Sequence, residues 1–396
     1  MTAKVISRYH SNFLVLLLCM VIFITNISQM PVFSDEGITQ YLSMPVWIIL
    51  FIYCLCTRRL PHLNAFGLMW PTVVLFMIVF MITISIDEAY LRSSLPIVLG
   101  IAMFITICGS ACARGLTERD MSKIFTSYIL SVLILGIDVY NGYLTGNSFS
   151  DLSYGYLYDE KNSASQILMS AWVLILFTKM RSSPIVRIIY IAIMLFMTYE
   201  ILMLQSRATI IGFPIALIIA LQASKGKQGR NMRLISCIFL FAIAIAVMNE
   251  YVWEILRDKI IYGGRIAGNI DSLSSGRAEE WMRFPDLFES HPFLGYGRLK
   301  NESFILTSLL EFGIIGGIPL IIIALCPLGF ALQTYRRYRN NSIFQMFTVI
   351  AIVYTLNGIF EQLAPFGPGA KCYFLWFIFG ILATQYHIAK LHHAVQ

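Results

Sequence analysis

Charge is what this sequence has least of. Asp, Glu, Lys and Arg make up 13% of its 396 residues and hydrophobic residues 58%, whereas soluble domains carry roughly 25% charged residues. An ordinary soluble domain is thereby excluded. Metal-ligand spacing is missing too. The eight cysteines (Cys19, Cys54, Cys56, Cys108, Cys112, Cys237, Cys326, Cys372) fall in or at the edge of apolar runs, with no CxxC pair. They suit the role of small packing residues. The sequence contains no P-loop, no H-E-x-x-H, no G-x-S-x-G and no aspartate pair of the kind that holds a metal-bound nucleotide. No cofactor or metal is therefore expected. The middles of the apolar runs are nearly free of charge, and Asp138, Glu200 and Glu311 lie towards one end. An ion-coupled transporter would place such groups deep in the membrane. No soluble domain, internal repeat or low-complexity tract stands out.

What is present is a series of apolar runs of about twenty residues, the length that crosses a bilayer core. This predicts an all-α polytopic membrane protein, because helices satisfy their own backbone in lipid. Twelve spans are expected, at about 12–31, 41–57, 66–86, 94–113, 123–144, 163–180, 187–204, 207–223, 234–251, 312–334, 343–360 and 371–388. The first follows Lys4 and Arg8 and reads as a retained helix. The chain thus divides into helices up to residue 251, a polar loop at 252–302, and helices over 303–396.

Basic residues set the orientation. With the N-terminus in the cytoplasm, the short inside segments hold eighteen of the 29 Lys and Arg residues, among them Arg58, Arg59, Arg114, Arg119, Arg230, Arg233, Arg336 and Arg337. The short outside segments hold Arg92, Lys161, Arg207 and Lys371, and the long loop, which the rule does not count, holds the rest. Both termini are expected inside and the loop outside. The net charge of +7 is then an ordinary basic inner rim and needs no nucleic-acid partner.

The polar loop and its neighbours carry the candidate chemistry. In QSRATIIGFP (205–214), Ser206 suits the N-cap of a helix starting at Arg207. Arg207 then stands at a positive helix end, where an anion is favoured. In SGRAEEW, Arg277 shares a helix face with Trp281, Phe284 and Phe288, and the aromatics are expected to lay that helix on the membrane surface. A buried arginine needs a charged partner; an anionic ligand or a structural carboxylate would serve. In HPFLGYG (291–297), His291 is either an acid–base group or the end of that helix. In NESFILTSLLEFGIIGG (301–317), Glu302 and Glu311 do not share a face. A carboxylate there is a candidate general base, an arginine partner or a cap, and Gly313, Gly316 and Gly317 suggest close helix packing. Lys161 and Asn162 open the sixth span at KNSASQIL, as hydrogen-bonding groups for a polar ligand or as a solvated helix start.

These pieces in their order, KNSASQIL, QSRATIIGFP, SGRAEEW, HPFLGYG and NESFILTSLLEFGIIGG, resemble the bacterial O-antigen polymerase/ligase family. The resemblance implies glycan transfer from an undecaprenyl-diphosphate carrier at the periplasmic face of the inner membrane, without nucleotide sugar, metal or cofactor. It implies that Arg207 and Arg277 hold the diphosphate and that both donor and acceptor are carrier-linked glycans; Arg265 and Arg298, in the same loop, are the next candidates for that site. A chain-length regulator is an expected partner beside the bilayer. The ligases carry a histidine before the returning span, where this chain has Asn301-Glu302. That departure is similar to the polymerases and makes Glu302 the candidate catalytic carboxylate. A ligase acting on lipid A-core, and a non-enzymatic transporter of lipid-linked oligosaccharide, are the other two readings.

Overall fold

The computed structural model describes residues 3–30, 33, 39–144, 161–179, 183–204, 206–222, 227–255, 257–258, 277–299, 301–367 and 372–394. Among them there are helices and no strands. In chain order they are α1 (Ala3–Ile27), α2 (Thr39–Cys56), α3 (Met69–Ile86), α4 (Leu95–Cys112), α5 (Glu118–Leu144) and α6 (Lys161–Leu174, continued by a π-helical turn, Ile175–Lys179). Then follow α7 (Pro184–Met203), α8 (Arg207–Ile210), α9 (Gly212–Leu221), α10 (Lys227–Met248), α11 (Glu250–Ile255), α12 (Arg277–Ser290), α13 (Phe304–Arg337), α14 (Ser342–Phe360) and α15 (Tyr373–Ala394). Short 3-10 turns cover Leu63–Phe66 and Glu88–Arg92.

Seven described helices are long and apolar enough to cross a membrane: α3, α4, α5, α7, α13, α14 and α15. Shorter apolar helices cover Asn12–Ile27, Tyr41–Cys56 and Arg207–Leu221. Of the remaining expected spans, α6 is interrupted by its π-helical turn. Helix α10 opens on the charged stretch at Lys227, Arg230 and Arg233. The chain is an all-α, multi-pass membrane protein.

Burial sorts the helices into layers. Helices α3 and α7 are peripheral, with Ile78, Ile82 and Ile188 exposed, an arrangement suited to lipid. Helices α4 and α15 are central. Their backbones meet because each has a glycine at the crossing: a Cβ at Gly109 would strike the Phe377 carbonyl, and one at Gly380 the Thr106 carbonyl. Polar groups inside this core are answered. Tyr373 donates to Asn26 at 3.1 Å, Asn26 to Ser131 at 2.7 Å, and the Trp376 indole to the Pro365 carbonyl at 2.7 Å.

The basic segments gather at one end of the bundle. Arg59 donates to the Arg114 carbonyl. Arg339 and Tyr335 both reach Gln222, at 3.3 and 2.6 Å, and Arg337 lies over the Tyr386 ring at 5.9 Å. The described part of the polar loop from Arg277 onward, with Asn162, Arg207 and Glu302, lies at the opposite end.

Candidate active site

Five chain segments meet at that opposite end, and the sequence explains how each arrives. Helix α6 presents Asn162, Gln166 and Ser170 at intervals of four, on one face. Helix α14 runs antiparallel to it and presents Glu361, just past its end, with Asn357 and Tyr354. The two sets pair in order. Asn162 donates to Glu361, Asn357 to Gln166 at 2.7 Å, and Ser170 shares a hydrogen bond with Tyr354 at 3.0 Å. Gln166 and Asn357 are wholly buried. Among the described residues, Gln166 Nε2 and Asn357 Oδ1 keep no hydrogen-bond partner, which is costly for a buried amide.

Helix α8 begins at Arg207 as the sequence predicts. Ser206 does not cap it through a backbone N–H; its hydroxyl pairs instead with Thr209 at 3.0 Å. Ile211 keeps helical torsions, so the run continues into α9. A Cβ at Gly212 would meet Val353 at 2.9 Å and Met169 at 3.0 Å. Arg207 stands five residues earlier, about 7.5 Å along the axis at 1.5 Å per residue. That puts it level with the last turn of α14 and the first turns of α6. Its side chain is half-buried.

Arg277 opens α12. Its Nη2 lies 2.6 Å from Glu302 Oε2 and donates to the Phe360 carbonyl at 3.1 Å. The guanidinium thus sits on the last residue of α14, where helix carbonyls carry partial negative charge. Its partner includes a structural carboxylate, Glu302, which is half-exposed. The Glu302 backbone N–H donates to Glu280, in the first turn of α12, at 3.0 Å. Helix α12 buries none of its residues. Trp281 is exposed, and Phe284 and Phe288 stack with ring centroids 5.3 Å apart. This outward apolar face fits the expected position against a membrane surface.

The HPFLGYG segment has an architectural role. Helix α13 begins at Phe304, ahead of the span expected from 312, and breaks at Gly313 (φ 59°, ψ −161°). Gly313 is therefore a break, not a helix-packing glycine. A Cβ there would strike the Phe293 backbone. The chain folds back after it, so that a Cβ at Gly317 would come 2.6 Å from the Ser308 carbonyl. HPFLGYG fills the break. Tyr296 and Gly297 donate to the Leu310 and Glu311 carbonyls at 2.8 and 2.9 Å. The amides of Ile314 and Ile315 donate to Pro292 and Phe293 at 2.8 and 3.2 Å. The Tyr90 hydroxyl bridges the carbonyls of Leu294 and Gly295, at 2.9 and 3.1 Å. Burial, with Asp87 nearby, pushes this phenol above its ordinary range, so it remains a donor.

The other expected site residues distribute as follows. His291 closes α12, its N–H on the Phe288 carbonyl at 3.2 Å and its ring 4.3 Å from that of Tyr296. Arg298 stands at the break, next to Gly297, whose N–H donates to the Glu311 carbonyl. Glu311 is buried there and accepts from the Ser93 hydroxyl at 2.5 Å. Lys161 is the first residue of α6; its side chain, and all of Arg265, lie outside the described residues. Asn162 joins the rim through Glu361. Sequence reasoning missed Gln166, Asn357 and Glu361. The signal was available: the interval of four between Asn162 and Gln166 matches that between Asn357 and Glu361.

With this geometry in place, the comparisons with known proteins bear on it. Residues 189–312 match a family model described as O-antigen ligase. The matched stretch contains Arg207, Arg277, His291, Arg298 and Glu302 and ends at the break. No curated protein matches the chain.

Proposed function

We propose that this chain, which carries a domain of the O-antigen polymerase/ligase family, polymerises carrier-linked oligosaccharide repeat units into a surface polysaccharide. The carrier is undecaprenyl diphosphate, and the reaction takes place at the periplasmic face of the inner membrane. The observation that carries this reading is the pairing of Arg277 with Glu302 at 2.6 Å on the end of α14, with Arg207 at the same level of the bundle.

In the reaction, the acceptor hydroxyl oxygen attacks the anomeric carbon of the donor glycan. The bond from that carbon to the diphosphate oxygen breaks, and the electron pair leaves on the diphosphate. Arg277 and Arg207 stabilise that charge through their forked donors. The incoming diphosphate displaces Glu302 from Arg277. The freed carboxylate takes the proton of the acceptor hydroxyl. Donor binding thereby switches Glu302 from ion-pair partner to base. The lipid tails stay in the bilayer beside α12, whose exposed Trp281 faces that depth.

A second reading, transfer of the glycan to lipid A-core, has one specific observation in its favour, the description of the matched family model as O-antigen ligase. Asn301-Glu302, standing where the ligases carry histidine, favours the polymerase. Deletion followed by gel analysis of the polysaccharide separates them. Single repeat units on lipid A-core are expected. Undecorated core with full-length carrier-linked chains would instead identify a ligase. Cysteine placed at Ser272 is expected to react with an impermeant thiol reagent in intact spheroplasts, and cysteine at Ser224 is not; the reverse pattern would place the loop in the cytoplasm.

A further inference from the structure

The basic end of the bundle holds a cavity of about 630 Å³ outside the family-matched stretch. Its lining includes His62, Arg114, Leu116, Gln385, Ile388 and Leu391. Local chain geometry builds it. Helix α4 ends at Cys112, and Gly115 (φ 81°) turns the chain away. Three carbonyls just past this helix end are already answered: Gln385 donates to Ala113 and Leu116 at 3.4 Å, and Arg59 to Arg114. The Arg114 guanidinium is not needed there. Among the described residues it has no carboxylate partner. The acids nearby in sequence are otherwise placed: Asp120 accepts from the Thr117 N–H and hydroxyl, at 3.1 and 2.7 Å, and Glu118 is exposed. His62 donates its backbone N–H to Ser110 at 2.9 Å, while its ring Nε2 is buried with no hydrogen-bond partner among the described residues. Arg59 adds further positive charge beside these groups. The remaining wall is apolar.

A cation, an unused imidazole nitrogen and an aliphatic wall together fit an amphipathic anion. We propose that this cavity binds the phosphate head of an anionic phospholipid. The phosphate rests on the Arg114 guanidinium, the His62 Nε2–H donates to it, and an acyl chain lies along Leu116, Ile388 and Leu391. A basic cavity at a membrane surface attracts such lipids electrostatically. Free inorganic phosphate offers the same head chemistry without the chain.

The test uses the full-length protein in neutral detergent. Its thermal unfolding is followed while phosphatidylglycerol, phosphatidylcholine or inorganic phosphate is titrated in. Phosphatidylglycerol is expected to raise the transition in a saturable way, as a ligand of the folded state does; the other two leave it in place. Arg114→Ala is expected to weaken the phosphatidylglycerol midpoint by roughly tenfold or more, the loss of one charge-assisted contact. Arg114→Gln, which keeps most of the side-chain bulk, repeats that loss if the alanine variant folds poorly. Arg336→Ala, at the same end but outside the cavity, leaves the midpoint unchanged. The proposal is overturned by equal shifts with phosphatidylcholine, by an unchanged midpoint in both Arg114 variants, or by an equal loss in Arg336→Ala. An equal shift with inorganic phosphate overturns the lipid assignment.

Discussion

The break at Gly313 lies within α13 and the rim formed by Arg277 and Glu302 lies just ahead of that helix, yet they use their polar groups in opposite ways. At the break, four main-chain hydrogen bonds and the Tyr90 hydroxyl tie HPFLGYG into the gap. Its glycines and carbonyls are engaged in holding shape. At the rim, Arg277 and Glu302 pair while partly open to solvent, and a buried amide pair below them keeps unused hydrogen-bonding capacity. The residues that look most like a motif are architecture. The proposed chemistry rests on polar side chains thinly scattered over apolar helices.

That contrast is breakable. The largest expected effect is at the break. Gly313→Ala forces a side chain into torsions that are essentially glycine-only, at roughly 1–3 kcal/mol, and into the Phe293 backbone besides. Loss of folded protein from the membrane is expected, measured by detergent extraction and thermal unfolding; wild-type stability would mean that the break is not required. Next are the rim charges, where folding should persist and transfer should fall. Glu302→Gln keeps the shape and removes the base, for a loss on the order of 10²–10⁴-fold in rate. Transfer between purified lipid-linked repeats, at matched protein levels, measures it, and a near-normal rate would reduce Glu302 to an anchor of Arg277.

Arg207→Ala and Arg277→Ala are each expected to lose about 10²–10³-fold in the same assay, as when one preorganised donor is removed. Arg277→Lys should also be impaired, because it keeps the charge but not the fork. Normal polymerisation in both alanine variants would move the diphosphate site to Arg265 or Arg298. A smaller effect is expected from Asn357→Ala, which leaves the Gln166 amide buried and unpaired at about 1–3 kcal/mol; a lowered unfolding temperature should precede any loss of rate per folded molecule. Least of all, Arg336→Ala, in the basic end, should leave transfer unchanged.

The helical class and the positions of the apolar runs were legible in the sequence, because lipid demands local backbone satisfaction and so writes each helix into consecutive residues. The basic residues that gather at one end were legible for the same reason, as position along the chain sets position across the membrane. The start of α8 at Arg207, and the need of Arg277 for a charged partner of some kind, were within reach of local rules. Three things were not. The break at Gly313 depends on amides some fifteen to twenty residues away, from Pro292 to Gly297. The ladder of Asn162, Gln166 and Ser170 against Glu361, Asn357 and Tyr354 joins helices nearly two hundred residues apart. Arg277 meets Glu302 only because α12 lays its first turn across the end of α14. Hydrogen bonds and ion pairs act over a few ångströms of space. A chain records such neighbours only where they are also neighbours in sequence, and here the fold alone brought them together.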